Sequence, residues 1–120
     1  MRHLSKSLLL LIGCTAIGNQ SSPSDWPKLD VAERHVSHRE MRDACAPFAP
    51  PMFSPEGCAI IDFAADTCVI YVSIDFPSQS VLEHEHEHCA GRDHVGSATL
   101  RDAWARWKKI QDGTRRITSQ

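Results

Sequence analysis

The 120-residue sequence has no dense stretch of lysine and arginine, no CxxC pair, a single tyrosine and no apolar run long enough to cross a bilayer. Scattered basic residues and a net charge of -2 give no electrostatic footprint for nucleic acid, so none is expected as a partner. Cys45, Cys58, Cys68 and Cys89 are spaced by 13, 10 and 21 residues, which argues against a four-thiolate zinc site. A chain of this size has room for one main core, and no internal repeat is visible.

What is present begins with a basic start at Arg2, His3 and Lys6, an apolar run over residues 8–12, and Gly13 before Cys14. That order reads as an export signal. Leu11-Ile12-Gly13-Cys14 resembles a bacterial lipobox, which implies cleavage before Cys14 and a diacylglyceryl group on its thiol. Thr15, where Asp would retain such a protein at the inner membrane, implies the outer membrane, facing the periplasm; plain secretion is the alternative. The small polar residues 15–24 suit a tether. In an oxidising compartment Cys45, Cys58, Cys68 and Cys89 are expected to form two disulfides. Three connectivities are open, although Cys58 and Cys68 begin successive strand-like runs and would not face each other across a simple hairpin.

Residues 28–36 alternate weakly as a strand, with a helix as the other option. Ser37-His38-Arg39-Glu40 has the form of a capping box, predicting a helix that carries Met41 and Ala44 inward and stops before Pro47. Four prolines and a glycine over residues 46–57 predict an ordered loop that buries Phe48, Met52 and Phe53. Residues 58–63 and 68–74 are β-branched and aromatic, a hairpin by pattern. A helix follows through Val81, Leu82 and the His-rich run, ending at Gly91. Ala98 to Gln111 reads as an amphipathic helix with Leu100, Ala103, Trp104, Trp107 and Ile110 on one face, stopped by Gly113, its tryptophans expected against the sheet.

The chemistry concentrates in residues 84–94. On a helix His84 and His88 lie about 40 degrees apart around the axis and one turn apart along it, so two imidazoles can share one Zn²⁺. Glu85 sits about 60 degrees from His88, where a carboxylate can act as general base on a water at the metal. A break at Gly91 turns the chain so that His94 can supply a third nitrogen. His86 falls about 200 degrees from His84 and is expected to face solvent, like the distant His35 and His38.

His84, Glu85, His88, Gly91 and His94 resemble, residue for residue, the HExxHxxGxxH signature of metzincin metalloendopeptidases. The resemblance implies an α+β fold, here a reduced zincin-like domain with a small β-sheet, an active-site helix and a C-terminal amphipathic helix. It also implies an edge strand beside the active-site helix to align an extended substrate, a place residues 68–74 would take. The methionine turn of that family is missing, since Met1, Met41 and Met52 all precede the motif. His84, His88, Gly91, Asp93 and His94 are similar as well to the HGxxHLxGxDH pattern of bacterial ribosomal-RNA maturation metalloproteins, which carry Gly where this chain has Glu85. That ending makes Asp93 a support for a liganding histidine or an alternative ligand.

The expected organisation is a signal peptide over 1–13, a tether over 14–27, a zincin-like domain over 28–114 and a tail over 115–120. The expected activity is Zn²⁺-dependent hydrolysis of peptide or protein substrates at the cell envelope. A non-catalytic, zinc-sequestering lipoprotein is the alternative, with alternating Glu and His over residues 83–88 as a metal-buffering surface.

Overall fold

Residues 46–57 leave and return to two cysteines, and that loop closure organises the first half of the chain. A computed structural model describes residues 21–118, so the expected leader and Cys14 lie outside the described residues. Residues 27–90 form one unit, and residues 21–26 together with 91–118 belong to another.

In the 27–90 unit, β1 (Asp30–Val36), α1 (His38–Cys45), β2 (Gly57–Asp62), β3 (Thr67–Ser73) and α2 (Gln79–Cys89) follow in order, with a single 3₁₀ turn at Ala46–Phe48. The sheet order is β1-β3-β2, with β1 parallel and β2 antiparallel to β3. The weak pattern of residues 28–36 thus resolves as a strand. β3 is the central strand, its backbone paired on both sides, and so cannot serve as the substrate-aligning edge expected of residues 68–74. The edges are β1 and β2.

Local chemistry sets the element ends. The Ser37 hydroxyl accepts from the Glu40 N–H at the start of α1, as the capping-box pattern predicts. The β2–β3 hairpin turns on Asp62, whose carboxylate accepts from Ala65 N–H, and on Asp66 at φ 56. Ser73 folds its hydroxyl back to accept from Asp75 and Phe76, ending β3, and Ser78 caps α2 through Val81 N–H.

Strand alternation decides which helix covers which face. Cys68, Ile70 and Val72 are buried and share a face with Gly57, Ala59 and Ile61 of β2 by register. Cys68 is bonded to Cys89, placing α2 on that face; a Cβ at Gly57 would meet Val81 of α2 at 2.9 Å. The other face carries Cys58, bonded to Cys45 of α1. Each disulfide therefore holds one helix to one face, giving a helix–sheet–helix sandwich around Met41, Cys45, Cys68 and Ile70.

The loop over residues 46–57 does not bury its large side chains: Phe48, Met52 and Phe53 are 63%, 104% and 72% exposed. Its ends are fixed 5.6 Å apart by Cys45–Cys58, so the chain must run outward and return. The prolines fix φ along the way, and Met52 takes φ 70.

In the other unit α3 (Thr99–Thr118) is the one helix among the described residues. It continues through Gly113, where a stop was expected; a lone glycine inside a helix costs only about 1 kcal/mol against alanine. Trp104 packs edge-on against Trp26 with ring centres 6.1 Å apart, and its indole N–H donates to Asp25. Lys108 also pairs with Asp25, holding that carboxyl below its ordinary range through hydrogen bonds from Lys108 and Trp104.

Candidate metal site

Four residues of the His-rich run take their places from α2. The helix is fixed at its start by the Ser78 cap and at its end by Cys89–Cys68, so its rotation on the sheet is set by covalent and hydrogen bonds together. His84 and His88 project side by side, with Nε2 atoms 3.2 Å apart and ring planes at 88°. Two ligands each about 2.0–2.1 Å from a tetrahedral ion stand about 3.3 Å apart, so the separation of this pair is compatible with two ligands on one metal ion.

Glu85 is buried at 6% exposure, and its carboxylate stands 4.0 Å from His88 Nε2, beyond hydrogen-bond reach. Burial disfavours the charged form and pushes its carboxyl up to about 7, from an ordinary value of 4.5. A helix rich in glutamate has thus placed one of them where ionisation is costly. Glu83, by contrast, lies at the surface and accepts from Gln79.

The helix ends at Cys89, and Gly91 takes φ 87, the left-handed conformation the sequence assigned to it. Glycine is required twice over, because a Cβ there would stand 2.5 Å from Trp26 Cδ2. His94 follows in an exposed turn in which its carbonyl accepts from Ser97 N–H. One ligand nitrogen from each of His84, His88 and His94 lies within 4.8 Å of the others, so the three residues named from spacing are brought together.

Asp93, held in reserve as a support or an alternative ligand, is 2% exposed and committed elsewhere. Its two carboxylate oxygens accept from the backbone N–H groups of Leu100 and Arg101 at 2.8 and 3.3 Å, satisfying donors in the first turn of α3. The next residue is His94, so this cap also fixes the backbone that carries the third histidine.

Sequence reasoning missed one cluster. His86 and His35 were expected at the surface, and their side chains are 42% and 51% exposed, but Glu33 accepts from both, His86 Nε2 at 2.6 Å and His35 Nε2 at 2.9 Å. The available signal was the alternation Glu33-x-His35, which puts both on one face of β1, but the partner strand was not readable.

Cys45 pairs with Cys58 and Cys68 with Cys89, the two disulfides expected, and Cys58 and Cys68 are not joined. No protein-family model, no curated protein and no solved structure matches the chain. The likeness to metzincins therefore rests on the motif alone, and the site it marks is a trio of histidines that could hold a metal ion.

Proposed function

We propose that the chain is a zinc-dependent peptidase in which His84, His88 and His94 hold the ion and Glu85 is the general base. The observation that carries this reading is Glu85 itself, a buried carboxylate beside His88 with its pKa raised to about 7. A carboxylate needed only for solubility would sit at the surface, as Glu83 does. Zn²⁺ in a three-nitrogen setting supplies a lowered pKa for a bound water and polarisation of a scissile carbonyl.

Burial raises the proton affinity of Glu85 in the metal-free fold, a direction that favours a group that must take a proton from water and give it back. It removes a proton from the attacking water and delivers it to the leaving amine, so water and a peptide bond become a carboxylic acid and an amine. His84 and His88 contribute neutral imidazole nitrogens at a separation fixed by α2. Peptide or protein substrates fit this chemistry. The lipobox-like residues 11–14 support a domain tethered through a lipid on Cys14 at the outer membrane, facing the periplasm; two disulfides accord with an oxidising compartment.

The test is peptide or casein cleavage by the zinc-loaded chain and by Glu85→Gln, with bound zinc measured in both. Zinc retained with cleavage reduced by about 10²-fold or more supports the general base. Equal cleavage in both, or none in the wild type, refutes it. A second reading, metal sequestration without catalysis, is supported by the His86–Glu33–His35 contacts, which engage the one histidine of residues 84–88 that the first site leaves out.

A further inference from the structure

Alternation along β1 puts Val31, Glu33 and His35 on the face shared with Cys68, Ile70 and Val72, because the register pairs Val31 with Cys68, Glu33 with Ile70 and His35 with Val72. That is the face covered by α2, through Cys68–Cys89. On α2, His86 lies about 160 degrees around the axis from both His84 and His88. The strand and the helix thus bring three ligand-type side chains together on the side of α2 away from the first pair.

The two imidazoles approach opposite oxygens of one carboxylate, His86 Nε2 at 2.6 Å from Oε2 and His35 Nε2 at 2.9 Å from Oε1. Both Nε2 atoms are directed at the carboxylate, and hydrogen bonds from His35 and His86 hold Glu33 below the usual carboxylate range. The side chains of His35, Glu33 and His86 are 51%, 36% and 42% exposed, so an ion can reach them and the rings have room to move back around it. At 2.6 and 2.9 Å these are hydrogen-bond separations, shorter than the roughly 3.3 Å between neighbouring ligands on a common tetrahedral ion, so the rings must draw back as an ion replaces the shared protons.

We propose that His35, Glu33 and His86 form a second metal site, taking a divalent first-row transition cation such as Zn²⁺ with two imidazoles and one carboxylate. Two nitrogens and one oxygen suit zinc or its neighbours over calcium or magnesium, which prefer all-oxygen surroundings. The site goes beyond the peptidase reading and does not depend on it, since it shares no ligand with His84, His88 and His94.

The experiment is a calorimetric Zn²⁺ titration of the full chain with its disulfides formed, alongside NMR of the histidine rings. The wild type is expected to take about two equivalents, with the rings of His35 and His86 shifting during one of the two steps. His35→Ala/His86→Ala should take about one, and Glu33→Gln, which keeps shape and size, should weaken the same step selectively. His84→Ala/His88→Ala should still show the His35 and His86 shifts. A wild type that binds zinc without shifting the His35 and His86 rings, or a second equivalent unchanged in His35→Ala/His86→Ala and Glu33→Gln, overturns the second site. Loss of the His84–His88 step alone bears on the first site and leaves this one standing.

Discussion

Replacing Glu85 by glutamine in the metal-free chain should change how stability depends on pH, in a direction fixed by burial. The carboxyl has an ordinary value of 4.5 and is pushed up to about 7 in the fold. Between those values the native state holds a proton that the unfolded chain has released, so stability falls as pH rises through that window. Below about pH 4.5 both states are protonated and burial of the neutral acid carries no ionisation cost. Above about pH 7 both are ionised and the whole cost is present. At about 1.4 kcal/mol for each pH unit between the two values, the difference is about 3 kcal/mol. Since the side chain is 8% exposed, little of this is screened by water.

Glutamine has nearly the same shape and never ionises, so the comparison isolates this one group, and the other titrating residues cancel. Guanidinium unfolding of both proteins in chelator, at pH 4.5 and pH 8, gives the four free energies required. The variant should gain about 3 kcal/mol relative to wild type on going from the lower to the higher pH, a large part of a small domain's stability. A difference between the two proteins that stays flat to within about 0.5 kcal/mol across this range would refute the burial argument and with it the poised base.

Gly91→Ala combines a left-handed φ with a clash on Trp26 and should cost more than about 2 kcal/mol, whereas Gly96→Ala, with φ 82 but open space at its Cβ, should cost about 1, both read by chemical denaturation. Asp93→Ala removes acceptors for two N–H groups of α3 and should cost about 1–2 kcal/mol with loss of helical circular dichroism, while Asp93→Asn keeps part of the cap. Cys45→Ser/Cys58→Ser and Cys68→Ser/Cys89→Ser should each lose about 3 kcal/mol by the chain-entropy argument. Only the second pair frees α2 and should also weaken zinc binding in calorimetry; equal zinc affinity in both would show that the staple does not set the histidine geometry.

The motif was legible because its logic is local. His84, Glu85 and His88 need only a helix, and Gly91 needs only a backbone that other residues resist, so spacing was sufficient. The capping box at Ser37 and the hairpin over residues 57–73 were legible for the same reason. What failed was long-range. β3 resembled an edge strand in sequence, but β1, which pairs along its other side, is connected through α1 and two further segments, and parallel pairing leaves no turn signal. The contact of the solvent-exposed His86 with Glu33 was not foreseen, because Glu33 lies 53 residues earlier in the chain. Phe48 and Phe53 were expected inward on hydrophobicity, yet the closure by Cys45–Cys58 sets where that loop can go. Asp93 could not be recognised as a cap, since it precedes the helix it caps by several residues instead of adjoining it.

Cys89 directly follows His88, so oxidation of the chain and any metal taken by the histidines would act as two effectors of one conformational equilibrium. Whatever free energy the Cys68–Cys89 bond contributes to ordering the end of α2 reduces the cost of assembling the nitrogens of His84 and His88. Linkage is reciprocal, so a bound ion must make that bond harder to reduce by the same factor by which the bond tightens the ion. A copy that met a thiol-reducing environment would tend to lose both together, and the two losses would appear as one cooperative event.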